Sequence, residues 1–282
     1  MLKLSATITT RLPKKATILG GWNKRSTLSS TTFTKIGAYS TSSSSLPSEP
    51  FYGRPRQDKD NSLSPFQNIA IAVHSATTAF LDPERHDMVA ALAEVTGTLA
   101  LQSLHKEMMS NPTGRRILND RPVVSTETIN IPALKNLPPN TFGYHYAEFL
   151  EEHEFDPNHR APVKYISDPE LAYVMMRYRQ SHDFYHVLTD LPPTIPGELA
   201  LKYAELFQTG LPICALSSTV GSLKLDSNDR KIWKEAYLPW AIKVGTGNAT
   251  GKKWMSVYWE EEFEKDMIEL REELGVEVAP TL

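Results

Sequence analysis

The stretch DPELAYVMMRYRQSHDFYHVLTDLPPTIPGE (168–198) constrains the fold more than any other part of the chain. Asp168 followed by Pro169 is a strong helix start: the carboxylate can accept from the first free N–H groups, and proline lacks only a donor that the first turn does not need. Leu171, Met175, Tyr178, His182 and Tyr185/His186 then recur at steps of three and four, which places them on one helix face. The helix cannot run past Leu191, because Pro192, Pro193 and Pro196 remove donors and crowd the preceding turn. The chain must bend there, and ELALKYAELFQ (198–208) reads as a second helix packing back on the first.

The two histidines continue the buried stripe of the first helix. Four residues apart, both imidazoles can reach one ion. Asp183 lies on an adjoining face and could reach the same ion or orient one of the rings. Glu198 falls in the first turn of the second helix, facing the bend. Two nitrogens and one or two carboxylates converging from two helices suit a divalent ion with an open position. The plain alternative is a pair of hydrogen-bonded core histidines, with Glu198 a favourable charge at a helix N-terminus. The spacing His182-Asp183-x-x-His186-x11-Glu198 raises the combination above that alternative. Imidazole and oxygen ligands, with no cysteine in the motif, favour zinc or another borderline divalent ion.

This pattern resembles the signature of the fourth coenzyme Q biosynthesis protein family of mitochondria. The resemblance extends to RHDMVAALAEVTG (85–97), RAPVKYISDPELAYVMMRYRQSHDFYH (160–186), GELALKYAELFQTGLPICAL (197–216) and YLPWAI (237–242), and these blocks spread it over most of residues 64–275.

The formal charge of −3 conceals an asymmetry. Residues 1–48 hold seven basic side chains and no acidic one, which leaves 23 Lys and Arg against 33 Asp and Glu in residues 49–282, a charge of −10. An acidic body excludes nucleic acid as the natural partner, because phosphate binding needs a basic face. The basic, Ser/Thr-rich start has the composition of a mitochondrial transit peptide, expected to be disordered and to lie outside the fold. Residues 49–63 read as a polar linker, and residues 64–282 as one domain. The single cysteine, Cys214, permits no intrachain disulfide and reads as a small buried residue. No apolar run is long enough to span a bilayer, so membrane contact is expected to be peripheral.

Period-two alternation is nearly absent, and the rest of the domain reads as helices. Ser64-Pro65 opens one with Phe66, Ile69, Ala70, Val73 and Thr77 on one face. Asp82-Pro83 opens a second that runs to about Ser110 and carries His86-Asp87 in its first turn, there as ordinary helix-start residues. Residues 116–140 read as irregular. A helix near Tyr144–Glu152, a short one in LPICALSSTV (211–220) and one bent at Pro239 follow. A final amphipathic helix is expected over about Lys253 to Leu274, with a solvated charged side. The expectation is an all-α fold of seven to nine helices, with the metal site at the two-helix bend.

The family resemblance implies a specific chemistry: loss of the C1 carboxyl group from a polyprenylated 4-hydroxybenzoate-type ring (4-hydroxy-3-methoxy-5-polyprenylbenzoate). It places this on the matrix side of the inner mitochondrial membrane, within the multi-enzyme complex of coenzyme Q synthesis. In a simple route the para oxygen pushes electron density to C1, a proton arrives there, and carbon dioxide leaves as the ring regains aromaticity. An oxidative route would add oxygen at C1. An ion held by His182, Asp183, His186 and Glu198 would fix the head group through its oxygens, and Tyr185 is a candidate acid. A hydrophobic tunnel for the tail is implied as well, and the apolar faces in 66–80 and 88–104 would suit it. Self-association is compatible with the pattern but not specified by it. Three other readings compete. Peptide hydrolysis is disfavoured because Asp183 stands where a metalloprotease has glutamate. A His-Asp phosphohydrolase would draw on His86-Asp87. A non-catalytic lipid-binding scaffold would use the ion as a structural or head-group clamp.

Overall fold

A computed structural model describes residues 63–82, 85–223, 225–246 and 252–280. The expected transit segment, and all of the expected linker but residue 63, lie outside them. The fold is all-α. Its helices are α1 (Pro65–Leu81), α2 (His86–Thr96), α3 (Thr98–Ser110), α4 (Pro112–Asp120), α5 (Ile131–Leu134), α6 (Phe142–Glu152), α7 (Pro169–Thr189), α8 (Ile195–Thr209), α9 (Pro212–Ser222), α10 (Ser227–Ile232), α11 (Leu238–Thr246) and α12 (Met267–Leu274). None of the helices among the described residues is long and apolar enough to cross a membrane.

Helix α7 is the spine. The Asp168 side chain accepts from the N–H groups of Glu170 and Leu171, as the Asp-Pro start predicts, and such a cap stabilises a helix by about 1 kcal/mol. The helix is buried nearly all round. Its first half (Leu171, Val174, Met175, Tyr178) joins a cluster with Leu101, Leu104, Met108, Leu211 and Cys214. Its second half (Phe184, Tyr185, Leu188) joins another with Phe142, Tyr146, Trp254 and Trp259. His182 lies on α7 between the two halves.

The elements outnumber the seven to nine expected, and three local reasons account for most of the excess. The helix expected from Asp82 to Ser110 breaks at Gly97, where a Cβ would lie 2.6 Å from the Ala93 carbonyl oxygen and 3.5 Å from Met175 Cε. Asn111-Pro112 starts α4, which runs on into the stretch expected to be irregular. The Asn111 side chain accepts from the N–H groups of Thr113 and Gly114, so the dipeptide that ends one helix also caps the next. Around Pro239 the chain widens into a π turn at Trp233–Tyr237 instead of simply bending.

One expectation needs correction. The helix expected over Lys253–Leu274 is two 3-10 turns, Trp254–Ser256 and Trp259–Glu261, followed by α12. Both tryptophans are buried, and on the expected solvated side Glu260 instead turns inward to the buried Arg177. The apolar face of α1 is exposed. Phe66, Ile69 and Val73 are 86%, 61% and 62% exposed.

Candidate metal centre

The centre is built by the bend between α7 and α8. Asp190 ends α7 in the left-handed conformation (φ 58°), and Leu191 N–H donates back to the His186 carbonyl oxygen at 3.2 Å. Thr194 caps α8, its side chain accepting from Gly197 N–H. At Gly197 the backbone passes so close to Pro192 that a Cβ would sit 2.1 Å from the Pro192 carbonyl oxygen. Only glycine permits that approach, and it sets Glu198 at the start of α8 opposite the end of α7.

Ligand atoms of His182, His186 and Glu198 all lie within 4.8 Å of one another. His182 Nε2 is 3.2 Å from Glu198 Oε2, and His186 Nε2 is 3.1 Å from Glu198 Oε1. The two imidazoles stand edge to face with centroids 4.8 Å apart, and Phe149 stacks on His186 at 5.6 Å. His186 is 1% exposed and His182 12%, whereas the Glu198 side chain is 38% exposed. The group is walled on the histidine side and open at the carboxylate.

The second nitrogens are held too. His186 Nδ1 lies 3.0 Å from the Leu191 carbonyl oxygen. A carbonyl only accepts, so Nδ1 must carry the proton in that bond. The Nε2 lone pair is then turned at the Glu198 carboxylate. A lone pair and a carboxylate oxygen at that separation repel unless a cation lies between them, either a proton or a metal ion. The donor set of two imidazoles and a carboxylate, open on one side, suits a borderline divalent ion.

His182 Nδ1 has two neighbours. Glu205 Oε1 lies 2.7 Å away and Lys202 Nζ 3.1 Å away. Lys202 also donates to Glu205 Oε2 (2.8 Å) and to Tyr178 Oη (3.2 Å), and Tyr178 Oη donates to Glu205 Oε2 (2.6 Å). Burial and the Lys202 ammonium lower the His182 pKa, but Glu205 and Glu198 outweigh them and raise it to about 9. Burial raises the Glu205 carboxyl, but Lys202 and His182 pull it down to about 2. Glu198 is likewise raised by burial and held well below the usual carboxylate range by the two histidines.

Glu205 and Lys202 were not singled out from the sequence, although a signal is present. Glu198, Lys202 and Glu205 fall at i, i+4 and i+7 of α8, opposite Tyr178, His182 and His186 of α7. A charged stripe on a predicted helix ordinarily marks a wet face. Here it is the face packed against α7.

Two residues expected at the site lie elsewhere. The buried Asp183 carboxylate accepts from Arg160 Nη2 and is not in the His182, His186 and Glu198 group. Tyr185 is fully buried, donates to Met255 Sδ at 3.5 Å and packs on Trp254. The Asp87 carboxylate pairs with Arg85 in the first turn of α2, as a helix-start residue would.

Comparison with known proteins agrees with this architecture. The chain is 43% identical over 216 residues to the Aedes aegypti "Ubiquinone biosynthesis protein COQ4 homolog, mitochondrial", covering 77% of this chain and 78% of that protein. It is 47% identical over 216 residues to the Blastomyces gilchristii "Ubiquinone biosynthesis protein COQ4, mitochondrial", covering 76% and 75%. A crystal structure of a Nostoc punctiforme protein shares the fold, with a TM-score of 0.60 at 21% identity over 74% of this chain and 98% of that one. The family model described as "Coenzyme Q (ubiquinone) biosynthesis protein Coq4" matches residues 58–280. The chain belongs to the Coq4 family of ubiquinone biosynthesis proteins.

Proposed function

We propose that this ubiquinone biosynthesis protein removes the C1 carboxyl group from a polyprenylated 4-hydroxybenzoate-type intermediate, at a divalent ion, zinc by ligand preference, held by His182, His186 and Glu198. The observation that carries the reading is the His186 Nε2 lone pair, turned at a carboxylate oxygen 3.1 Å away and requiring a cation between them. When bound, such an ion supplies a template and Lewis acid for the oxygens of the head group. His186 is fixed for that task by the Leu191 carbonyl oxygen and by Phe149. Glu198 stands on the open side, where a ring carboxylate can approach. Asp183 is proposed as the fourth member of the set, on exchanging Arg160 for the ion.

The tail is proposed to run along apolar side chains of residues 88–104. The protein is proposed to enter mitochondria by way of residues 1–48 and to work on the matrix surface of the inner membrane beside the other enzymes of the pathway. The absence of a membrane-spanning helix among the described residues is compatible with that placement. A second reading, a non-catalytic lipid-binding scaffold, is favoured by one observation: Tyr185, the acid expected from sequence, is turned into the core.

The test is incubation of the purified full-length chain with a short-chain prenylated 4-hydroxy-3-methoxybenzoate, with and without oxygen, following carbon dioxide release and the ring product. Release by the wild type and its loss in His186→Ala support the enzyme. Equal release by His186→Ala or by metal-stripped protein contradicts it. Tight substrate binding without release favours the scaffold.

A further inference from the structure

His182 Nδ1 is contested, and the outcome decides whether its Nε2 can take a metal ion. A neutral imidazole carries one proton. If Nδ1 donates it to Glu205, the Nε2 lone pair faces Glu198, as at His186. If Nδ1 instead accepts from Lys202 Nζ, the proton sits on Nε2 and the ring cannot ligate. Both neighbours are in place, the carboxylate at 2.7 Å and the ammonium at 3.1 Å. The carboxylate is nearer and is completely buried. Tyr178 Oη and Lys202 Nζ both anchor its other oxygen.

We infer that Glu205 is a positioning residue of this centre: it takes the Nδ1 proton of His182 and thereby selects, against Lys202, the tautomer whose Nε2 faces the ion. The inference rests on the metal reading above. Glu205 touches neither the ion nor the substrate and acts through the ring of His182. A carboxylate behind a ligating histidine orients the ring and raises its basicity, and losing such a partner typically weakens metal binding about 10- to 100-fold. The arrangement is unequal on the two sides of the bend. His186 is oriented by a neutral backbone carbonyl that mutation cannot remove, whereas His182 depends on a side chain.

Opposite variants then give opposite results. In Glu205→Gln, Lys202 gains the Nδ1 lone pair, and affinity for zinc falls about 10- to 100-fold. In Lys202→Met the competitor is gone, and affinity is unchanged or higher. A general loss of packing would weaken both. Because Glu205→Gln leaves a buried ammonium without its carboxylate and can unfold the domain, the double variant Lys202→Met/Glu205→Gln keeps that region neutral. Its affinity should fall below that of Lys202→Met.

The experiment is competition for zinc between a chelator and the full-length wild type, the two single variants and the double variant. It is paired with the visible spectrum of each protein loaded with cobalt, and with nitrogen-15 NMR of the His182 ring without metal, recorded above pH 9 where the ring is neutral. Expected are a wild-type ring protonated at Nδ1, weaker zinc binding and an altered cobalt spectrum in Glu205→Gln, and neither change in Lys202→Met. Equal zinc affinity in the wild type and Glu205→Gln, or a wild-type ring protonated at Nε2 alone, overturns the inference and leaves the metal reading standing. A folded wild type that binds no zinc overturns both.

Discussion

Helix α7 carries two kinds of buried charge within ten residues, and they behave differently. At Arg177 the guanidinium meets Glu260 in a bidentate pair, with Nη1–Oε1 2.5 Å and Nη2–Oε2 2.9 Å, and a further bond to the Val257 carbonyl oxygen. Both Glu260 oxygens meet a guanidinium nitrogen, and the pair is closed. One to three turns further on, His182, His186 and Glu198 bring lone pairs and carboxylate oxygens together and leave one side exposed. The first arrangement is complete as it stands; the second requires a cation. A buried ion pair of the first kind locks Trp259–Glu261 against α7. A group of the second kind could hold a metal ion.

Breaking each region should therefore have different consequences. Arg177→Met strands Glu260 beside the core and should cost about 3–5 kcal/mol in denaturant unfolding. The metal content of the protein that remains folded should be unchanged. A large loss of metal with little loss of stability would show that the two regions are not separable.

The cluster should also respond to pH in its own way. The folded pKa of His182 is about 9 against an ordinary 6.5, so in metal-free protein its contribution is fully present below pH 6.5 and is lost as pH rises through 9. Thermal unfolding of metal-free protein should weaken over that window by a few kcal/mol at most. Metal-loaded protein should stay level there, because the ion replaces the proton. A metal-free protein equally stable at pH 6.5 and 9 would count against the charged cluster.

Gly197→Ala puts a methyl group against the Pro192 carbonyl oxygen, and the bend must shift to admit it. About 1–3 kcal/mol of stability should go, together with a loss of zinc affinity, read by calorimetry. Unaltered affinity would mean that the bend does not set Glu198. The smallest effect belongs to the exposed face of α1. Ile69→Ser and Val73→Ser should each change stability by no more than about 0.5 kcal/mol, and a larger change would show that this face is covered in the protein.

The same contrast explains what the sequence made legible. Asp168-Pro169 and the proline-bounded bend are local signals, and they located α7, α8 and the His182–His186–Glu198 group. The periodic face of α7 is long enough to read without ambiguity. Two features depend on partners elsewhere in the chain and are not legible in the sequence alone. Glu205 and Lys202 look like a solvated stripe until α8 is laid against α7. Glu260 looks solvated until Arg177 is found buried beneath it, 83 residues away. The apolar stripe of α1 has a periodicity indistinguishable from that of a packed helix, because periodicity reports which residues share a face and not what covers it. Asn111-Pro112 is different in kind: its signal is local, and it both stops α3 and starts α4.

The central claim is that the bend between α7 and α8 holds one divalent ion. The most direct test is elemental analysis of the purified full-length chain beside Glu198→Gln, a variant that preserves the shape of the side chain while removing the charge that faces both imidazoles. The account predicts close to one zinc or similar ion per chain in the wild type and a large loss in the folded variant. Equal metal in both, or none in a folded wild type supplied with zinc, would contradict it.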